Sequence, residues 1–319
     1  MSPPSPSPEP GRAPGRASGR APGRAPGTVF FLSDFGIADE FVGVVHAVIA
    51  AQAPGTTVID LTHHIPPFDV RAGSHTLVRA VPHLGAGVVL GVVDPGVGTV
   101  RRGIGLEVAL PPPAGGRMSF VGPDNGLLVA GAEAVAEAPI ASAVELRRDP
   151  VPPDRGGTFD GRDLFAPAAA SLCLGTPLSG LGAAIDPESL VRLVGGVVEQ
   201  GRLHDGRCSL RAEVTWVDHF GNLQLAATVA DARVAGIPTS GTIELAARVE
   251  SGREYLDGLP HALVPDGVQL RWVAAFSDLK QGELGLLVDA NGHLAVVAGE
   301  ASAAHWLNVA AGELLILAW

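Results

Sequence analysis

Apolar positions fall into two textures along this chain, and the change comes at about Arg207. Upstream, short apolar runs alternate with helical periodicity. Thr28 to Leu32 is an apolar run that ends in the turn Ser33-Asp34-Phe35-Gly36. Phe41, Val44, Val45, Val48 and Ile49 then repeat at the spacing of one helix face, with Asp39 placed to cap it and Pro54-Gly55 to end it. Thr57 to Leu61 predicts a second strand, and Asp69 a cap for a helix to about Val81. Gly87 to Val93 is continuously apolar, as in a strand buried on both faces. Further strands are predicted over Ile104 to Val108 and Ser119 to Val121, and a helix from near Arg162 to Leu174-Gly175. Such alternation predicts an α/β domain with a mostly parallel sheet covered by helices.

Downstream, period-two segments recur with turn residues between them: Ser209 to Trp216, Leu223 to Ala227, Thr242 to Val249, Val268 to Ala275, Leu284 to Val288, Leu294 to Val297 and Glu313 to Ala318. This pattern predicts an all-β, barrel-like domain. The domains are expected over 28–196 and 203–319, with the linker between Gly195 and Gly206.

Composition changes this picture mainly at the start. Residues 1–27 are almost wholly Pro, Ser, Gly, Ala and Arg, with nothing to bury, which predicts a disordered tail. The tail lacks the apolar core of a secretory signal. It holds four arginines and one glutamate, so the remainder is more acidic than the net charge of −11 for the whole chain. An acidic body disfavours a nucleic-acid partner. No long uncharged apolar stretch predicts a membrane span. Cys173 and Cys208 are too few for a disulfide framework and read as thiols of a reducing compartment, which points to the cytoplasm.

Asp34, His63, Asp94 and Asp124 all fall just after predicted strands, where ligands bind in parallel sheets. Asp34 has the chemistry to accept hydrogen bonds from a ribose diol, although a turn residue would look the same. Asp94 opens the loop Asp94-Pro95-Gly96-Val97-Gly98-Thr99, and Arg101 returns seven residues later as its expected partner. Asp160 and Asp163 begin a predicted helix, where an acidic residue can simply favour the helix dipole. His63 and His64 are adjacent in an extended segment and so face opposite ways, and no H-x-x-x-H spacing occurs. The sequence therefore predicts no metal. No G-x-S-x-G nucleophile turn occurs either.

Six segments in order, FLSDFG, IPPFDV, VVDPGVGTVRR, FVGPDNGLL, TFDGRDLFAPAAA and VDHFGNLQL, resemble the S-adenosyl-methionine hydroxide adenosyltransferase family, which is related to fluorinating and chlorinating enzymes. The resemblance runs from Val29 to about Trp319. It implies an α/β domain followed by a β-barrel, assembled as a homotrimer with sites between subunits. It implies hydrolysis of S-adenosyl-L-methionine to adenosine and methionine, with no cofactor. It also implies a ribose contact from Asp34, methionine contacts from Asp39 and Asp218, an aromatic contact from Phe68, and adenine-side contacts from Phe220 and Asn222. Asp94 and Arg101 match two members of an Asp–Arg–His set that handles the attacking water.

The third member departs from the family, because Asp160 stands where relatives carry His. Two carboxylates near one water are expected to share a proton. The NSxG motif of relatives reads Asp289-Ala290-Asn291-Gly292 here. Halogenating relatives carry Tyr in place of Asp94, and fluorinating ones Ser and Thr at the positions of Gly161 and Val97. A carboxylate would repel a halide, so water is the expected nucleophile. A binder of adenosine or S-adenosyl-methionine without catalysis is the rival reading.

Overall fold

The computed structural model describes residues 27–113, 115–148, 156–249 and 267–319. The predicted tail lies outside these residues, apart from Gly27. The first apolar run forms β1 (Thr28–Ser33), buried from Val29 onward. It is followed by α1 (Phe41–Gln52), β2 (Thr57–Thr62), α2 (Val70–Ala80), β3 (Gly87–Val92), β4 (Gly103–Ala109), β5 (Arg117–Pro123), α3 (Val129–Ala136), β6 (Ser142–Leu146), α4 (Ala166–Cys173) and β7 (Gly182–Ile185).

These strands form one sheet in the order β2-β1-β3-β5-β4-β6-β7. Parallel pairing holds from β2 through β1 and β3 to β5. Beyond β5 the sheet continues antiparallel through β4, β6 and β7. Both faces are covered, as the continuous apolar character of β1 and β3 requires. Leu77 of α2 and Val129, Ala132 and Val135 of α3 pack on one face with Leu32, Met118 and Phe120. Val45 and Ile49 of α1 and Ala166, Ala169 and Leu172 of α4 pack on the other with Phe31 and Leu90.

Asp69 caps α2 as expected, its carboxylate accepting from Ala72 N–H at 2.9 Å. Asp39 does not cap α1. Glu40 occupies that position and makes no side-chain capping bond, so the helix is held by burial of Val45 and Ile49. The helix expected from Arg162 opens with one π turn, Gly161–Phe165, before α4.

The second sheet comprises β8 (Val198–Arg202), β9 (Cys208–Val217), β10 (Leu223–Thr228), β11 (Thr242–Val249), β12 (Val268–Trp272), β13 (Leu284–Val288), β14 (His293–Ala298) and β15 (Leu314–Ala318). Two short helices, α5 (Val229–Ala235) and α6 (Ala303–Leu307), lie between strands. β9 pairs with both β10 and β15, closing seven strands into a barrel around Leu210, Val214, Leu225, Leu245, Leu270, Leu286, Val296 and Leu317. The pairing is antiparallel except between β12 and β13. β8 lies within the stretch read as a linker and pairs with β9.

α2 joins the two halves. Arg71 donates to the buried carboxylate of Glu213 on β9 at 2.6 and 3.2 Å. Arg79 donates to Gln224 on β10 at 3.1 Å and lies 5.1 Å over the Trp216 ring. Among the described residues, no helix is long and apolar enough to cross a membrane.

Candidate active site

β1 and β3 run side by side with Ser33 in register with Val92, so Asp34 and Asp94 emerge together at the carboxyl edge of the sheet. A cleft of about 240 Å³ opens there, lined by Asp34, Phe35, Phe41, Phe68, Asp94, Val97, Thr158, Asp160 and Gly161 among others. Phe35 and Phe41 form part of its apolar wall, backed by Phe159. The rings of Phe35, Phe41 and Phe159 lie 5.2–5.8 Å apart in tilted and edge-on pairs. The sequence reading missed this cluster, because Phe159 comes from a segment far along the chain from Phe35 and Phe41.

Asp34 Oδ2 accepts the Phe68 backbone N–H at 2.9 Å. That bond ties the first loop to the second. Phe68 sits at φ 68°, a region that costs a bulky residue energy, and the residue is 71 % exposed. Phe68 thus lines the cleft without being packed into the core.

The loop after β3 curls on its own polar groups. Thr99 Oγ1 donates to Gly96 O at 2.6 Å and accepts from Arg101 N–H at 3.2 Å. This turn brings the Arg101 guanidinium back onto Asp94, where Nε donates to Oδ1 at 3.0 Å and Nη2 donates to Oδ2. The guanidinium also lies 5.3 Å over the Phe165 ring. Both side chains of the pair are nearly buried. Burial pushes the Asp94 carboxyl above the ordinary range, Arg101 offsets only part of this, and the neighbouring Asp160 charge pushes it further up.

Asp160 and Asp94 are bridged by a cation. A guanidinium stands between them: Arg101 Nη2 donates to Asp160 Oδ2 at 2.6 Å. Arg148, just past β6, donates to Oδ1 at 2.5 Å and to Oδ2 at 2.8 Å. Burial alone would raise the Asp160 pKa, but the bonds from Arg148 and then Arg101 outweigh it and hold the carboxyl below the ordinary range. Asp160 thus accepts three hydrogen bonds from two guanidinium groups. Arg148 was not legible in the sequence, since it belongs to no motif.

Two other strand-end residues do not line this cleft. Asp124 is taken by Arg102 at 2.8 and 2.5 Å and by Val191 N–H at 3.0 Å. His63 is buried, with Nδ1 2.8 Å from Ser33 Oγ and Nε2 3.1 Å from Asp60 Oδ1. His46 Nε2 lies 2.8 Å from the same oxygen. His46, Asp60 and His63 thus form a trio whose ligand atoms could hold a metal ion, a grouping that linear spacing did not reveal. None of the three lines the cleft.

The residues matched to the methionine and adenine ends lie apart from these. Asp39 is exposed beside α1. Asp218, Asn222, Gln224, Asp289 and Asn291 line a second cavity of about 470 Å³ with Arg79, Trp216 and Phe276. Asp218 shapes its own turn, with Oδ1 accepting the N–H groups of Phe220 and Asn222 at 2.9 Å and Oδ2 accepting from Asn222 Nδ2 at 2.8 Å. Phe220 is 73 % exposed. The two cavities share no lining residue within one chain.

The chain matches the SAM hydroxide adenosyltransferase N-terminal domain over residues 29–182 and the C-terminal domain over residues 212–316. It is 43 % identical over 286 residues to a protein of Salinispora tropica named (R)-S-adenosyl-L-methionine hydrolase, covering 89 % of this chain and 95 % of that one. Similarity to a fluorinase of Actinoplanes is lower, 26 % over 310 residues, covering 88 % of this chain and 94 % of that one. A solved structure of an uncharacterized conserved protein from Thermotoga maritima superposes with a TM-score of 0.72 at 29 % identity, covering 91 % of this chain and 99 % of that one. With both halves matched in order and a relative this similar along nearly its whole length, the chain belongs to the SAM hydroxide adenosyltransferase family.

Proposed function

We propose that this protein hydrolyses S-adenosyl-L-methionine to adenosine and L-methionine. The observation that carries the reading is Asp94: a carboxylate at the cleft, oriented through both oxygens by Arg101 and raised in basicity by burial. The Salinispora relative bears the name of this hydrolase and shares the full-length match.

In the proposed step a water oxygen attacks the ribose C5′ as the C5′–S bond breaks, and the bonding electrons leave with sulfur as the neutral thioether of methionine. The water proton passes to Asp94 and then to solvent. A sulfonium needs no acid to depart, so the protein's task is to align the water and accept its proton. Such alignment is worth roughly 7–11 kcal/mol in favourable cases. Asp34 holds the ribose diol, and Phe35, Phe41 and Phe68 cover the apolar parts of the ligand. The guanidinium groups of Arg101 and Arg148 already hold carboxylates, which favours water over a halide anion as nucleophile. The reading assigns no step to a cofactor or a metal.

Incubation with (R)-S-adenosyl-L-methionine and chromatography of the products tests the assignment. Free adenosine and methionine in equal amounts are expected. Recovery of the ligand bound and unchanged would instead support a binding protein.

The same reading makes the protein a cytoplasmic homotrimer in which the cleft of one copy faces the barrel cavity of the next. The exposed residues Phe68 and Phe220, one near each cavity, support this arrangement. Co-expression of Asp94→Asn chains with Asp218→Ala chains is then expected to restore activity that neither variant has alone. A mixed preparation as inactive as its parents would refute composite sites.

A further inference from the structure

We infer that Arg148 is a positioning residue of the hydrolytic site: it takes up the charge of Asp160 and so leaves Arg101 to hold Asp94. This rests on the hydrolytic reading above, and it extends that reading to a residue outside every motif.

The geometry begins with the number of carboxylate oxygens that Arg101 must serve. Its Nε and Nη2 face Asp94, and the same Nη2 faces Asp160 Oδ2 at 2.6 Å. Nη1 is committed to the Arg102 carbonyl at 3.0 Å. One guanidinium therefore stands between two carboxylates whose side chains are only 6 % and 3 % exposed. With Arg101 alone, this buried group would carry a net negative charge, and Asp160 Oδ1 would have no cation. Arg148 supplies what is missing, meeting both Asp160 oxygens in a forked pair at 2.5 and 2.8 Å. Two carboxylates and two guanidinium groups then balance. Where a neutral or cationic side chain occupied position 160, the second arginine would have no counterpart, so the two residues belong together as a matched pair.

The direction of the effect follows from what faces Asp94. Arg101 approaches from its own loop, Asp160 from the start of the π turn, Arg148 from beyond β6, and Asp34 from the end of β1 across the cleft. Removing the Arg148 charge leaves Asp160 uncompensated beside Asp94 and draws Arg101 toward Asp160. Both changes make Asp94 harder to ionise. Removing the Asp160 charge as well cancels them.

The test is a carbon-13 NMR titration of the Asp94 carboxyl in the free full-length protein, run on the wild type, Arg148→Met, Asp160→Asn and the double variant. In Arg148→Met the midpoint is expected to rise by about one pH unit or more, the lower end of what a neighbouring charge does to a carboxyl. In the double variant it is expected to return close to the wild-type value, and Arg148→Lys to fall between wild type and Arg148→Met. The acid limb of kcat is expected to move in parallel. An unchanged midpoint in Arg148→Met would overturn the inference. So would a double variant as displaced as Arg148→Met, which would mean that Arg148 acts only by shaping the fold. Because the titration needs no turnover, it separates failure of this inference from failure of the hydrolytic reading.

Discussion

Asp94→Asn is expected to lower kcat by roughly 10²–10⁴-fold, the range that a positioned general base supplies. Binding of S-adenosyl-L-methionine, followed by calorimetry, should change far less. Asn keeps the size of Asp and one acceptor oxygen, so a water can still be held, but it cannot take the proton that the attack releases. The wild-type pH profile belongs to the same argument. Because burial raises the Asp94 pKa, the base is lost as pH falls through a value above the ordinary carboxylate range. The acid limb of kcat should therefore lie higher than that of an exposed aspartate, and Asp94→Asn should abolish it. A variant that turns over at the wild-type rate would remove Asp94 from the chemistry, whatever else held.

Gly221→Ala is expected to disrupt the proposed barrel half of the site and to destabilise the fold. Gly221 lies at φ 83°, and a Cβ there would sit 2.0 Å from Ser302 Oγ. The left-handed conformation costs a side-chain-bearing residue about 1–2 kcal/mol, and overpacking adds about 1–3 kcal/mol. Ser302 also cannot move freely. Its hydroxyl caps α6 by accepting the His305 N–H at 3.0 Å, a bond whose loss costs about 1 kcal/mol. The backbone is fixed on both sides as well, since Ala304 N–H donates to Gly221 O at 2.9 Å. The turn must therefore open, and it is the turn that presents Phe220 and Asn222. A lower midpoint in thermal or denaturant unfolding is expected, together with weakened substrate binding. An unchanged midpoint and affinity would show that the turn tolerates the clash.

Local pattern carried the reading as far as it did because the loops that line the cleft sit at strand ends. The continuous burial of β1 and β3 was visible as unbroken apolar runs, and their ends located Asp34 and Asp94. The same rule also pointed to Asp124 and His63, which the structure commits to other partners. Strand-end position marks where a side chain can reach a cleft, and the neighbours it meets decide what it does. Asp39 looked like a cap because its residue type suits one, but the chain begins the helix two residues later, after Glu40. β6, β7 and β8 are short or exposed and left no strong period. Arg148 and Asp160 pair across a gap of twelve residues, and His46 meets Asp60 and His63 from a different element. Such meetings are created by the fold, and no spacing rule anticipates them.

The helix α2 has a mechanical consequence. Its capping residue follows Phe68 directly, and its flank is bolted to the barrel through Arg71 with Glu213 and Arg79 with Gln224 and Trp216. Swinging the sheet away from the barrel would strip a buried glutamate of its only cation among the described residues, so the two halves of one chain travel as a single lever. Admission of ligand and escape of adenosine then fall to local loop motion or, in the proposed trimer, to breathing between copies.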